Sequence, residues 1–353
     1  MKYLITGGAG FVGSSLAIRL KNNYPKSQVI CLDNLKRRGS ELNLPRLRKQ
    51  GVDFIHGDIR NKEDFSGIGE VDVIVECSAE PSVLAGYNSS AGYVVNTNLF
   101  GTVNCLEFAR KSKAGFIMLS TSRVYPINPI NSLNFSEAEA RFELLDEQKL
   151  PGSSGEGITE EFPLTGVRSL YGATKLASEL LILEYSEMYG IDAVINRCGV
   201  ITGPWQFGKV DQGVVVLWVA RHFWKQPLNY IGYGGEGKQV RDILHIDDLF
   251  RLIDLQVNRL EDMSGSTFNV GGGKDVSVSL RELTQLSEKY TGNSIPIEGI
   301  KENRQGDIRI YITDNANVFK ATGWKPAIGM ESIIEEISEW IKENKNKLEG
   351  VLA

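Results

Sequence analysis

Two short stretches hold the side chains best suited to moving protons. YGATK (171–175) sets a phenol, Tyr171, and an ammonium, Lys175, four residues apart near a helix start, so both project from one face. STSRVY (120–125) follows the apolar run GFIML and places Ser120, Thr121 and Ser122 beside Arg123, as at the mouth of a buried strand. Neither stretch contains a carboxylate, so the chemistry on offer is proton transfer through hydroxyls next to a fixed cation. The Tyr–Lys spacing is common by chance and takes its weight from what precedes it in the chain.

What precedes it is TGGAGFVG, with Gly7, Gly10 and Gly13 at GxxGxxG spacing, directly after an apolar strand and opening a helix. Glycine allows a tight turn and close approach of a diphosphate. The free N–H groups at Phe11 and Val12, with the helix dipole, stabilise its charge. Twenty residues after Gly13 a second strand ends in Asp33, placed to accept hydrogen bonds from an adenosine ribose and to repel a 2′-phosphate. This favours NAD over NADP; Lys36, Arg37 and Arg38 are the residues that would hold a phosphate in the alternative.

These groups need a scaffold, and the first 200 residues supply its pattern. Short β-rich runs at 2–6, 28–33, 53–57, 72–77, 115–120 and 192–197 alternate with helical patterns at 11–23, about 91–112 and about 170–189. The runs are almost continuously apolar, which suits parallel strands buried on both faces. On the 170–189 helix the apolar stripe is Leu176, Leu180, Leu183 and Met188. The segment 126–168, rich in Pro, Ser, Gly and Glu, reads as an excursion between strand and helix, a candidate lid. Beyond residue 200, turn-rich stretches alternate with helices expected at about 211–225, 246–260, 279–290 and 329–346, the last with a core stripe of Ile333, Ile334, Ile337, Trp340 and Ile341.

Composition sets the outer bounds. The 353 residues, 42% hydrophobic and 24% charged, suffice for one large domain or two interleaved ones. A net charge of −5 gives no electrostatic reason to expect nucleic acid or an anionic membrane surface. No run approaches the roughly 20 apolar residues of a membrane span, so no membrane association is expected. Cys31, Cys77, Cys105 and Cys198 are widely spaced and, with three histidines, offer no metal centre; they point to a reducing compartment, the cytoplasm.

Taken in order, TGGAGFVG, DNL (33–35), GDIRN (57–61), NLFGT (98–102), STSRVY, YGATK, RDILHIDDL (241–249) and RQGD (304–307) resemble the extended short-chain dehydrogenases/reductases that epimerise or dehydrate sugar nucleotides, over almost the whole chain. The resemblance implies an α/β fold: a Rossmann-type doubly wound parallel sheet with a smaller, interleaved C-terminal α/β substrate domain. The NAD-binding part would take 1–198 and 240–264, the sugar-nucleotide part 199–239 and 265–353. It implies that Tyr171 is the base, its phenol lowered from a reference pKa of about 10 by Lys175, which also binds the nicotinamide ribose. Thr121 would hold the reacting hydroxyl. Asn34, Asp58, Ile59, Ala79 and Asn98 join the glycine loop and Asp33 around the cofactor, and Gln206, Arg241 and Arg304 grip a nucleotide sugar, the arginines on its diphosphate.

Dehydratases of this family carry Asp and Glu directly after the catalytic threonine, where this chain has Ser122 and Arg123. That disfavours loss of water and leaves reactions needing one base and a returning hydride. QFGKVDQG (206–213), GKQVRDILH (237–245) and EAEARF (137–142) resemble the CDP-paratose 2-epimerase group, implying C2 inversion of a CDP-hexose by a homodimer or higher homo-oligomer whose contact is the 91–112 and 170–189 helices. A UDP-hexose 4-epimerase is the alternative within the family. A dinucleotide-binding sensor or scaffold without catalysis is the alternative outside it. Glu80, Pro81 and Trp205 depart from the family pattern at positions expected to border the sugar.

Overall fold

The computed structural model describes residues 1–87, 89–208 and 212–353, and the chain forms two compact units. The first takes Met1–Val124, Ser169–Arg197 and Phe250–Phe268; the second takes Tyr125–Arg168, Cys198–Leu249 and Asn269–Ala353. The segments 125–168 and 240–249, which the sequence suggested belong with the cofactor part, group with the second unit, making the two comparable in length.

The first unit is built on a seven-stranded sheet. Its strands are β1 (Lys2–Thr6), β2 (Gln28–Asp33), β3 (Asp53–His56), β4 (Val73–Glu76), β5 (Gly115–Thr121), β6 (Ala193–Cys198) and β7 (Ser266–Val270). They lie in the order β7-β6-β5-β4-β1-β2-β3. β1 pairs parallel with β2 and with β4, β2 with β3, and β4 with β5. The strand order therefore reverses between β1 and β4, the switch point outside whose carboxyl ends such sheets bind ligands. Gly7 follows β1, Asp33 ends β2, Ala79 follows β4 and Thr121 ends β5, all on that edge.

Three helices matter for the site: α1 (Phe11–Asn23), α2 (Gly101–Ser112) and α3 (Leu170–Tyr189). Cys105, Leu106 and Ala109 of α2 and Ile182 of α3 join Leu4, Leu32, Ile74, Phe116 and Ile195 of the sheet in one buried cluster. The helix expected at about 91–112 is helical throughout, with one irregularity: Ala91–Val95 runs through a π-helical turn, Asn96–Phe100, into α2.

On α3 the buried and apolar faces are not the same. Leu180, Leu183 and Met188 are 59%, 36% and 66% exposed, whereas Tyr171, Thr174, Lys175, Ser178 and Glu179 are buried. Three of the four stripe residues thus mark the outer face, and Leu176 is half-buried. The inner face combines those polar groups with Ile182, which packs in the apolar cluster.

In the second unit, Val240–His245 pairs parallel with Val200–Thr202 and with Ile310–Tyr311, and antiparallel with Ser277–Ser279. The 125–168 excursion is stitched to this unit and is no loose lid. The Phe142 N–H donates to the Lys238 carbonyl at 3.0 Å, the Ile158 N–H donates to the Ile312 carbonyl at 2.9 Å while the Ile158 carbonyl accepts from the Asp314 N–H at 3.0 Å, and Arg309 stacks 4.1 Å above the Phe135 ring. The helix expected at 211–225 is Val214–Phe223, and the tail helix divides into Met330–Glu343 and Lys345–Leu352. No helix among the described residues is long and apolar enough to cross a membrane.

Candidate active site

The glycine loop is shaped by contacts that exclude side chains. Gly7 has φ +63°, and a Cβ there would lie 2.9 Å from the Cys77 carbonyl; a Cβ on Gly13 would lie 2.2 Å from the Gly7 oxygen. The Gly10 N–H closes the turn on the Gly7 carbonyl at 3.0 Å. Gly10 is also the N-cap of α1, and no side chain caps that helix and no acid stands in its first turn. The N–H groups at Phe11, Val12 and Gly13 thus face a cradle suited to a diphosphate.

Asp33 is held for one task. Its Oδ2 accepts from the Ala9 N–H at 3.1 Å and its Oδ1 from the Leu35 N–H at 2.7 Å. Burial raises its pKa, and these main-chain donors oppose the rise. Next to it, Asn34 Nδ2 donates to Asp58 Oδ2 at 2.8 Å, and Arg60 makes a forked pair with the same carboxylate at 2.6 and 2.9 Å. Burial works against the Asp58 anion, but Arg60 and Asn34 outweigh it and hold its pKa at about 2. Ile59 packs under Gly101, so it can offer a cofactor its main chain but not its side chain. The uncapped helix, the glycine cradle and the ordered Asp33 carboxylate fit a dinucleotide.

Asn98 sits in the π-helical turn and works as a clamp. Its Oδ1 accepts from the Glu80 N–H at 2.7 Å, and its Nδ2 donates to the Glu80 carbonyl and to Thr174 Oγ1, each at 3.2 Å. The loop after β4, including Ala79, is thereby tied to α3. The extra residue of a π turn is the device that points Asn98 inward, a distortion often found at functional sites.

Tyr171 and Lys175 lie in the first turns of α3, whose N-cap Ser169 accepts from the Gly172 N–H at 3.2 Å. α3 packs on β5 and on the tight turn Ser122–Val124, which brings the Tyr–Lys face to the strand end bearing Thr121. Thr121 Oγ1 accepts from the Arg123 N–H at 3.1 Å, which fixes the hydroxyl at the strand end.

Two buried carboxylates in this region escaped the sequence reading. Glu76, at the end of β4, lies 3.9 Å from Lys175 Nζ and accepts from Thr102 Oγ1 at 2.5 Å. Glu179, one turn beyond Lys175, accepts from Ser120 Oγ and forms an ion pair with Arg197 at 2.8 Å. A charge inside the apolar strand DVIVEC was the available signal for the first; nothing local marks the second.

The substrate residues read from the second half belong to the second unit. Gln206 Nε2 donates to the Ile201 carbonyl and its Oε1 accepts from Thr202 Oγ1, both at 2.9 Å; Lys209–Asp211 of the same motif lie outside the described residues. Arg241 pairs with Asp307 at 2.9 Å and donates to the carbonyls of Val240 and Ile308. Its terminal nitrogens are thus engaged within the protein, so a grip on phosphate falls to Nε or requires Asp307 to give way. Arg304 is half-buried in the loop before Asp307.

The chain belongs to the NAD dependent epimerase/dehydratase family, whose pattern matches residues 3–271. It is 31% identical to a CDP-paratose 2-epimerase of Salmonella typhi, over 96% of this chain and 99% of that one. It is 28% identical to a dTDP-glucose 4,6-dehydratase of Streptomyces niveus, over 98% and 94%. Among solved structures, a UDP-glucose 4-epimerase of Thermotoga maritima with UDP-glucose superposes with a TM-score of 0.78 at 25% identity, covering 98% of this chain and all of that one. NAD is the cofactor of this family, and the cradle described above fits it.

Proposed function

We propose that this enzyme is an NAD-dependent sugar-nucleotide epimerase that inverts C2 of a CDP-hexose of the paratose/tyvelose type. The observation that carries this reading is the near full-length likeness to the Salmonella typhi enzyme. Ser122 and Arg123 after Thr121 add to it, because they leave no acid pair for expelling water.

Thr121 holds the C2 hydroxyl and Tyr171 removes its proton. Lys175 stabilises the phenolate and holds the nicotinamide ribose. NAD, when bound, would supply the acceptor for the C2 hydride and the donor for its return. Between those events the 2-keto sugar, kept by its nucleotide through Gln206, Arg241 and Arg304, turns its other face, and Tyr171 gives the proton back. Such a cycle needs one base and no net oxidant, which is what the β5 strand end and α3 provide.

The same reading makes the enzyme a cytoplasmic homodimer or higher homo-oligomer, with Phe100, Leu180, Leu183 and Met188 as the exposed apolar surface available for the contact. The test is incubation with CDP-paratose and, separately, UDP-glucose, followed by NMR at C2 and C4. C2 inversion of the CDP-sugar supports the reading. Exclusive C4 inversion of the UDP-sugar supports the 4-epimerase alternative and overturns it.

A further inference from the structure

Lys175 does not stand alone beneath the base. Its side chain is 2% exposed, and the carboxylate facing it is that of Glu76, itself fully buried, with Oε2 3.9 Å from Nζ. Oε1 lies 2.5 Å from the Thr102 hydroxyl, whose oxygen is 2.8 Å from the Asn98 carbonyl, so one proton is shared between two acceptors and the carboxylate is anchored to the same turn that clamps the loop after β4. Oε2 has no hydrogen-bond partner among the described residues, which leaves the ammonium as its compensating group. The other neighbours of Glu76 carry no charge: Thr6 on β1 and Met118 on β5 stand beside it in register, and Cys105 comes from α2.

A buried carboxylate is costly unless a cation accompanies it, and that cost binds both groups to one arrangement. We propose that Glu76 is a positioning residue of the Tyr171–Lys175 pair: it seats the ammonium from the sheet side and draws off part of its field, setting the pH range in which Tyr171 works as a base. This rests on the reading of Tyr171 as the base given above. Burial raises the Glu76 pKa, while Lys175 and the Thr102 hydroxyl favour its anion. With the anion present, the attraction of Lys175 for a phenolate is reduced; with it removed, the full positive charge acts on Tyr171.

The test compares Glu76→Gln, Glu76→Asp and Tyr171→Phe. Gln keeps the size and the acceptor for Thr102 but not the charge. The acid limb of kcat/KM against pH is expected to move down by about one unit in Glu76→Gln, and to stay near its original position in Glu76→Asp. The tyrosinate absorbance lost on adding Tyr171→Phe gives the same shift without turnover. If Glu76→Gln does not fold, Thr102→Val, which frees the carboxylate to protonate, is expected to move the limb the same way by less. Unmoved limbs, with activity merely lowered, overturn the proposal. Full activity in Tyr171→Phe instead overturns the assignment of the base, so the two failures are distinct.

Discussion

Removing Arg197 probes the polar interior of α3 quantitatively. Its Nε and Nη2 lie 3.1 and 2.8 Å from Glu179 Oε2, and the side chains are 8% and 3% exposed. Arg197→Met fills similar space but leaves the carboxylate buried, with the Ser120 hydroxyl as its remaining hydrogen-bond partner among the described residues. Breaking one side of a buried pair costs about 3–5 kcal/mol. Arg110–Glu107 serves as the control: the distance is again 2.8 Å, but the side chains are 39% and 37% exposed, and solvent screens such a pair so that it contributes far less. Chemical denaturation of Arg197→Met, Glu179→Leu, the double variant and Arg110→Met measures these terms. The double variant is expected to be more stable than Arg197→Met, because no charge is stranded. If Arg197→Met costs no more than Arg110→Met, the pair does not hold α3 to β6 and the argument fails.

Three further outcomes follow from other parts of the chain. Gly13→Ala drives a methyl into the Gly7 carbonyl, so NAD affinity should fall by at least about tenfold, roughly 1.4 kcal/mol, read by equilibrium dialysis; unchanged affinity would mean the loop does not cradle the diphosphate. Tyr171→Phe should lower kcat by about 10²–10⁴ while binding of nucleotide sugar, followed by calorimetry, is retained. Asp242 is fully buried, and burial pushes its pKa up to about 6. An acid with a raised folded-state pKa contributes most below its unfolded value near 3.9 and loses that contribution as pH rises to about 6. Stability should therefore drop by on the order of 3 kcal/mol across that window, and Asp242→Asn should flatten the profile of Tm against pH; an equally steep profile would contradict this.

The sheet was legible because strands buried on both faces must be apolar throughout: QVICLD and KYLIT carry their boundaries in their composition. The glycine loop and Asp33 were legible for a related reason, since close main-chain approach leaves few residue types possible. Periodicity misled on α3, where Leu180, Leu183 and Met188 trace the solvent side and the buried side is Tyr171, Lys175, Ser178 and Glu179. A helix that buries charges through ion pairs gives no hydrophobic signal of doing so. The π-helical turn at Asn98 has no local signature in NLFGT. The 125–168 segment reads as loop by composition, and only its bonds to Lys238 and Ile312 reveal where it belongs.

The central claim is that oxidation and reduction occur at one carbon, with the hydride leaving and returning. The direct measurement uses CDP-paratose labelled with deuterium at C2, incubated in ordinary water with catalytic enzyme and examined by NMR and mass spectrometry. The C2-inverted product is expected to keep the deuterium, with no net NADH formed. Inversion with the label lost to solvent would show proton exchange at carbon in place of hydride return, and would contradict this mechanism.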